Sequence, residues 1–195
     1  SSSGTVTVRA WNTFANTTPI AIHDNATATP YPSTITVAGL DATVCRLTVT
    51  LNNLSHTWPE DLDILLMAPN GQATYLLSDA GSFLSASGVT VTFDDQAAAM
   101  VSEDDAMTNG TYKPTNYGTK RDGVGFTDIF PPPAIVGPYT TNLSQFSGMN
   151  PNGQWSIFVV DDNWQDVGVV AGGWSLAITT YTPFTDMALT MADLP

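Results

Sequence analysis

Along most of this chain apolar residues return at every second position, the spacing of extended segments that bury one face. Val6 and Val8 alternate with Thr5, Thr7 and Arg9, which predicts a half-buried strand over 5–11 behind a Ser-rich start. The stretch 14–31, broken by Pro19 and Pro30, reads as loop with one edge strand at Ile20 to Ile22. Strands are predicted over 33–37 and 44–54, split by Gly39-Leu40-Asp41, with Leu47, Val49 and Leu51 on one face of the longer strand.

The stretch from His56 to Gly71 combines a polar loop, an apolar strand and a turn. Pro59 ends what precedes it, Leu62, Ile64 and Leu66 share a face, and Pro69-Asn70-Gly71 holds residues suited to a tight turn. Ala73 to Leu77 then forms the hairpin partner, and Val89, Val91 and Phe93 mark another strand. Gln96 to Val101 is the one helix-compatible piece, with Asp94 or Asp95 able to cap it. The connection over 102–147, including Pro131-Pro132-Pro133, has no sustained period, and Phe126, Ile129, Phe130, Ile135 and Phe146 could pin it. Gly153 to Val160 and Gly173 to Tyr181 are the final strands, joined by the loop from Asp161 to Asp166, and Trp155 and Trp174 near their starts are expected in the core.

About eight to ten strands and almost no helix predict an all-β fold, an antiparallel jelly-roll-like β-sandwich with one long irregular insertion. The expected organisation is an N-terminal arm or first strand over 1–13, the sandwich over 14–181 with its insertion at about 102–147, and a tail or interaction arm over 182–195.

With 195 residues and 43 % hydrophobic content the chain can bury one sizeable core. A formal net charge of −13 with five basic residues opposes binding to nucleic acid or to an anionic membrane surface and makes cations the natural partners. No apolar run approaches the roughly 20 residues of a membrane span, and no leader is seen at the start, as in a processed product or excised domain. Scarce lysine with abundant Thr, Ser, Asn and Gly suits a secreted or cell-surface protein. Cys45 is the sole cysteine and reads as a small buried side chain, so neither an internal disulfide nor a thiolate metal cluster is expected. Glycosylation sequons begin at Asn16, Asn25, Asn53, Asn109 and Asn142.

His56-Thr57 with Asp61-Leu62-Asp63-Ile64-Leu65-Leu66 and Pro69-Asn70-Gly71, then Asn152-Gly153-Gln154-Trp155-Ser156-Ile157, then Gly172-Gly173-Trp174-Ser175-Leu176, fall in a familiar order. From about Phe14 to Thr180 the chain resembles the P domain (homo B domain) of proprotein convertases, and most of all bacterial P-domain-like modules of secreted and surface proteins. The resemblance implies a jelly-roll sandwich without chemistry of its own that accompanies a catalytic domain. The insertion between Asp95 and Gln154 is longer here than in the convertase domains. His56 resembles the family's structural histidine, expected to bond a neighbouring loop or Asp63.

No nucleophile elbow is present and the histidines are His23 and His56 only, so no catalytic residue is expected. Glu60, Asp61 and Asp63 crowd together at a strand entrance, and like charges that close are unfavourable unless water or a cation screens them. With Asp94-Asp95 and Asp161-Asp162, also at predicted strand ends, they are candidate calcium ligands on a common rim, since Ca²⁺ takes about six to eight oxygens from irregular loops. Calcium ranks above solvated surface charge, and glycoside hydrolysis by paired carboxylates is a distant third. Trp58 and Trp164 are the candidate glycan-facing aromatics. The leading expectation is a non-enzymatic extracellular structural or adhesive module stabilised by calcium, with other protein subunits or surface proteins as partners. The alternatives are a filament or array subunit self-associating by strand exchange through its terminal segments, and an accessory domain of a secreted protease or hydrolase.

Overall fold

The computed structural model describes residues 11–118 and 128–181. The strand expected over 5–11 (except Trp11), the tail over 182–195 and Phe126 therefore lie outside the described residues.

Among the described residues the chain forms β1 (Asn12–Asn16), β2 (Ile20–Ile22), β3 (Ser33–Val37), β4 (Thr43–His56), β5 (Leu62–Met67), β6 (Ala73–Ser78), β7 (Ala86–Phe93), β8 (Gly110–Tyr112), β9 (Thr115–Asn116), β10 (Gly153–Asp161), β11 (Gly168–Val170) and β12 (Trp174–Tyr181), with 3-10 turns at Pro59–Asp61 and Leu143–Phe146. They make an all-β sandwich of a seven-stranded and a five-stranded sheet. In the larger sheet β4 is central: β12 pairs with residues 43–51 and β11 with 54–56 along one edge, while β7 takes the other. β1 lies outside β12, β2 outside β11 and β8 outside β7. The smaller sheet runs β3-β10-β5-β6-β9.

Alternation explains the core. Val49, Leu51, Trp174 and Leu176 of the larger sheet meet Ile35, Ile64, Leu66, Trp155 and Ile157 of the smaller one, all fully or almost fully buried. The indole N–H of Trp174 donates across this core to Ser33 Oγ at 3.0 Å, so both tryptophans expected in the core are there. The β5–β6 hairpin closes at the anticipated turn, where the Gly71 N–H donates to the Ala68 carbonyl and Gly71 takes φ +86°, cheap only without a Cβ.

The outer face of the smaller sheet is also covered. Leu65, Phe158 and Val160 point away from the main core and pack with Phe130 and Ala134 of the long connection, joined by Tyr31, Tyr75 and Tyr139. Burial on both faces is why β5 carries the apolar Leu65 on its outer face between the inward Ile64 and Leu66.

Several expectations need correction. Gln96 to Val101 is turn and bridge, not helix: Asp94 Oδ1 accepts from the Gln96 N–H, and the segment has almost no buried face to pack a short helix. The long connection carries strands, and β8 and β9 pair in parallel with β7 and β6, so the sheets are not wholly antiparallel. Phe130 and Phe146 pin it as expected, whereas Ile129 and Ile135 are exposed. The strand count exceeds the expected range because β1, β8, β9 and β11 are short, polar or embedded in loop sequence.

Candidate functional site

The acidic entrance of β5 lies at one end of the sandwich. Register places Asp161 opposite Leu62, and Val160 opposite Asp63, so the end of β10 sits beside the start of β5. On β10 the inward residues are Trp155, Ile157 and Val159; by the same alternation Asp161 points inward, toward the larger sheet. There Asp161 Oδ2 stands 3.1 Å from His56 Nε2, both side chains wholly buried, although the approach lacks a good hydrogen-bond angle. Nδ1 of His56 lies 2.9 Å from the Trp58 carbonyl and 3.2 Å from the Trp58 N–H, donating to the first or accepting from the second according to the ring's tautomer. The other Asp161 oxygen accepts from the N–H groups of Asn163 and Asn25. His56 thus bonds a neighbouring loop as expected, but its acidic neighbour is Asp161, not Asp63.

Asp63 belongs to the other side of the sheet. It shares the outward face of β5 with Leu65, is only 3 % exposed, and its Oδ2 is buried with no hydrogen-bond donor among the described residues. Burial holds its carboxyl well above the usual range, and the carboxylates of Asp128, Asp162 and Asp79 push it further, against a lowering hydrogen bond from Ser78. Asp128 comes from the long connection: its Oδ2 accepts from Ser78 Oγ at 3.0 Å and lies 3.5 Å from Asn116 Nδ2, while its Oδ1 is buried without a donor among the described residues. Tyr75 also bonds Asp128, and burial followed by that bond raises its phenol.

The candidate carboxylates therefore separate. Glu60, Asp61, Asp63, Asp161 and Asp162 gather at one end, with the Asp162 N–H donating to the Asp61 carbonyl and Asn163 Nδ2 to Asp61 Oδ1. Asp94 and Asp95 do not join them: along β4, Phe93 is opposite Val49 whereas Ala86 is opposite His56, which puts the acidic pair toward the far end. Asp94 is ion-paired with Arg46, and Asp95 accepts from the N–H groups of Leu143 and Ser144, opening a 3-10 turn. The common rim is corrected on this point. Among the described residues no three His, Cys, Asp or Glu side chains are disposed to hold a metal by themselves. Two buried carboxylate oxygens without donors, with Ser78 Oγ beside them, are nonetheless oxygen chemistry that suits Ca²⁺ and not the N/S preference of Zn²⁺.

Asp128, Asp79, Ser78 and Tyr75 escaped the sequence reading. Ser78-Asp79 looks like ordinary turn chemistry, and nothing along the chain marks Asp128 as a neighbour of Asp63, 65 positions away. Trp58 and Trp164, the candidate glycan-facing aromatics, are 39 % and 69 % exposed. Of the sequon residues, Asn25, Asn53, Asn109 and Asn142 are exposed, whereas Asn16 donates its amide to the Thr34 carbonyl and to Ser33. Cys45 is half-buried beside Arg46 in a cavity of about 370 Å³ that Trp11 also lines. A second groove, of about 510 Å³, lies under the long connection between Tyr75, Phe130, Val136 and Tyr139.

No family model matches the chain. Over 100 residues, 51 % of its length, it is 34 % identical to the transglutaminase-activating metalloprotease of Streptomyces mobaraensis, but it spans only 12 % of that protein. Among solved structures, the Aeromonas sobria serine protease in complex with its chaperone covers 92 % of this chain at TM-score 0.45 and 18 % identity, this chain matching 28 % of that one. The same protease without the chaperone gives TM-score 0.40 at 16 % identity over 91 % of this chain and 27 % of that one. Among the described residues no helix is long and apolar enough to cross a membrane.

Proposed function

We propose that this chain is a non-enzymatic accessory β-sandwich domain of a secreted protease, stabilised at its acidic end by calcium. The observation that carries the reading is the sequence likeness to the S. mobaraensis metalloprotease, of which a chain this size could form only a minor part. It favours the accessory role over the adhesive one expected first, and it agrees with the P-domain resemblance. Secretion would place the domain where calcium is plentiful. Among the described residues the polar partners of the buried His56 are Asp161 and the Trp58 backbone, with no hydroxyl or thiol nucleophile, which suits a structural role.

The cation would be held by Asp63 and Asp128, with Ser78 Oγ and the nearby carboxylates of Asp79 and Asp162 completing or balancing it. Its contribution would be charge compensation for acids that burial otherwise penalises.

The function is tested by grafting this chain into the S. mobaraensis metalloprotease in place of the region it matches. The chimera is expected to resist thermal inactivation longer than the same protease with that region deleted. Equal half-lives for chimera and deletion would refute the accessory role.

A further inference from the structure

The strand ends of the larger sheet run side by side at the acidic end, and the loops that cap them carry large apolar side chains facing solvent. Trp58, Phe83, Leu84, Trp164 and Val167 are 39 to 69 % exposed and make up five of the ten large exposed hydrophobics among the described residues. They are brought together by the fold. Thr57 and Val167 exchange backbone and side-chain hydrogen bonds, Ser85 Oγ donates to the Thr57 carbonyl, and the rings of Trp58 and Phe83 lie 5.7 Å apart. Single exposed apolar residues are ordinary, but five on loops joined in this way cost solubility unless something covers them.

The border of this face is acidic. Asp24 is exposed and accepts from the Gln165 N–H, and Asp162 and Asp166 are half-exposed on the same loop as Trp164. The two basic side chains among the described residues are both remote: Arg46 is paired with Asp94, and Lys113 follows β8, whose Tyr112 lies opposite Phe93. A second copy of the chain placed here by two-fold symmetry would set one acidic border against another.

We infer that Trp58, Phe83, Leu84, Trp164 and Val167 form a docking face for a folded protein domain whose matching surface has an apolar centre bordered by Lys and Arg. This rests on the accessory-domain reading, in which that partner is the catalytic domain of the protease. Apolar contact supplies the affinity, and the acidic border sets orientation and makes the contact salt-sensitive.

The chimera described above separates the two ideas. With Trp58→Ser and Trp164→Ser together, its inactivation half-life is expected to fall about tenfold toward that of the deletion, the loss expected of central apolar anchors. Asp166→Lys is expected to weaken the protection less and to reduce its dependence on salt. Ile129→Ser with Val136→Ser, at the exposed edge of the groove under the long connection, is expected to leave the half-life unchanged. Melting of the isolated chains shows that each variant folds. Full protection in the tryptophan variant, or its loss in the Ile129/Val136 variant, overturns the docking face while the accessory role stands. An unsubstituted chimera no better than the deletion removes both. Concentration-dependent dimers of the isolated chain that the tryptophan substitutions dissolve would make a second copy the occupant and overturn the chosen partner.

Discussion

Asp63 lies beneath the long connection, where burial and its carboxylate neighbours hold its carboxyl well above the usual range. Because the folded state binds the carboxyl proton more tightly than the unfolded chain, its stabilising contribution is complete below the ordinary carboxylate range and disappears as pH rises through the raised native value. Without a cation, Asp63→Asn is therefore expected to stabilise the protein at neutral pH by about 1–2 kcal/mol and to reduce this gain as pH falls. Urea unfolding in EDTA across pH 4–8 (about the span in which carboxyls with raised values titrate) measures this; a variant less stable than the parent at pH 7 would contradict it. His56 makes the opposite case, since truncation leaves Asp161 inside the sandwich without its partner. His56→Ala is expected to cost about 3 kcal/mol. A double-mutant cycle with Asp161→Asn checks the coupling, and additive losses would show that the pair contributes nothing jointly.

The strands with strong period-2 signals, β3, β4, β5, β6, β10 and β12, were legible from the sequence to within two or three residues, because each buries a row of side chains that the alternation announces. β11 was not legible: its three residues, Gly168–Val170, owe their conformation to pairing with β4 and β2, and no local signal encodes a partner. The acidic end was legible in part. Asp61, Asp63 and Asp161 were found as strand-end acids, but alternation on two neighbouring strands divides them between the two faces of a sheet, which only the register reveals. Asp95 looked like a ligand because a carboxylate suits a cation and a turn N-terminus equally well; here it accepts from Leu143 and Ser144 and fixes the 3-10 turn that seats Phe146 against Trp155, rings 5.2 Å apart. Asp95→Ala is accordingly expected to cost about 1 kcal/mol and to leave any calcium-induced rise in melting temperature intact. Loss of that rise in this variant would return Asp95 to the cation site.

In the whole molecule charge and apolar surface are unevenly spread. One end of the sandwich combines buried acids, an acidic border and the exposed Trp58 and Trp164; the other has the Arg46–Asp94 pair and the turn held by Asp95. A formal net charge of −13 on 195 residues opposes compaction, and the place where acids gather in a buried setting is where a bound cation, as proposed, would stabilise the fold. The reading of a calcium-stabilised accessory domain stands or falls on the group around Asp63. Its most direct test is the melting temperature of the EDTA-treated chain, measured at neutral pH with and without added calcium, beside that of Asp63→Asn. Calcium is expected to raise the melting point of the parent by several degrees, about 1–3 kcal/mol of linkage for a site well above its dissociation constant, and to leave the variant where it was. An unchanged parent, or an equal rise in the variant, would contradict the account.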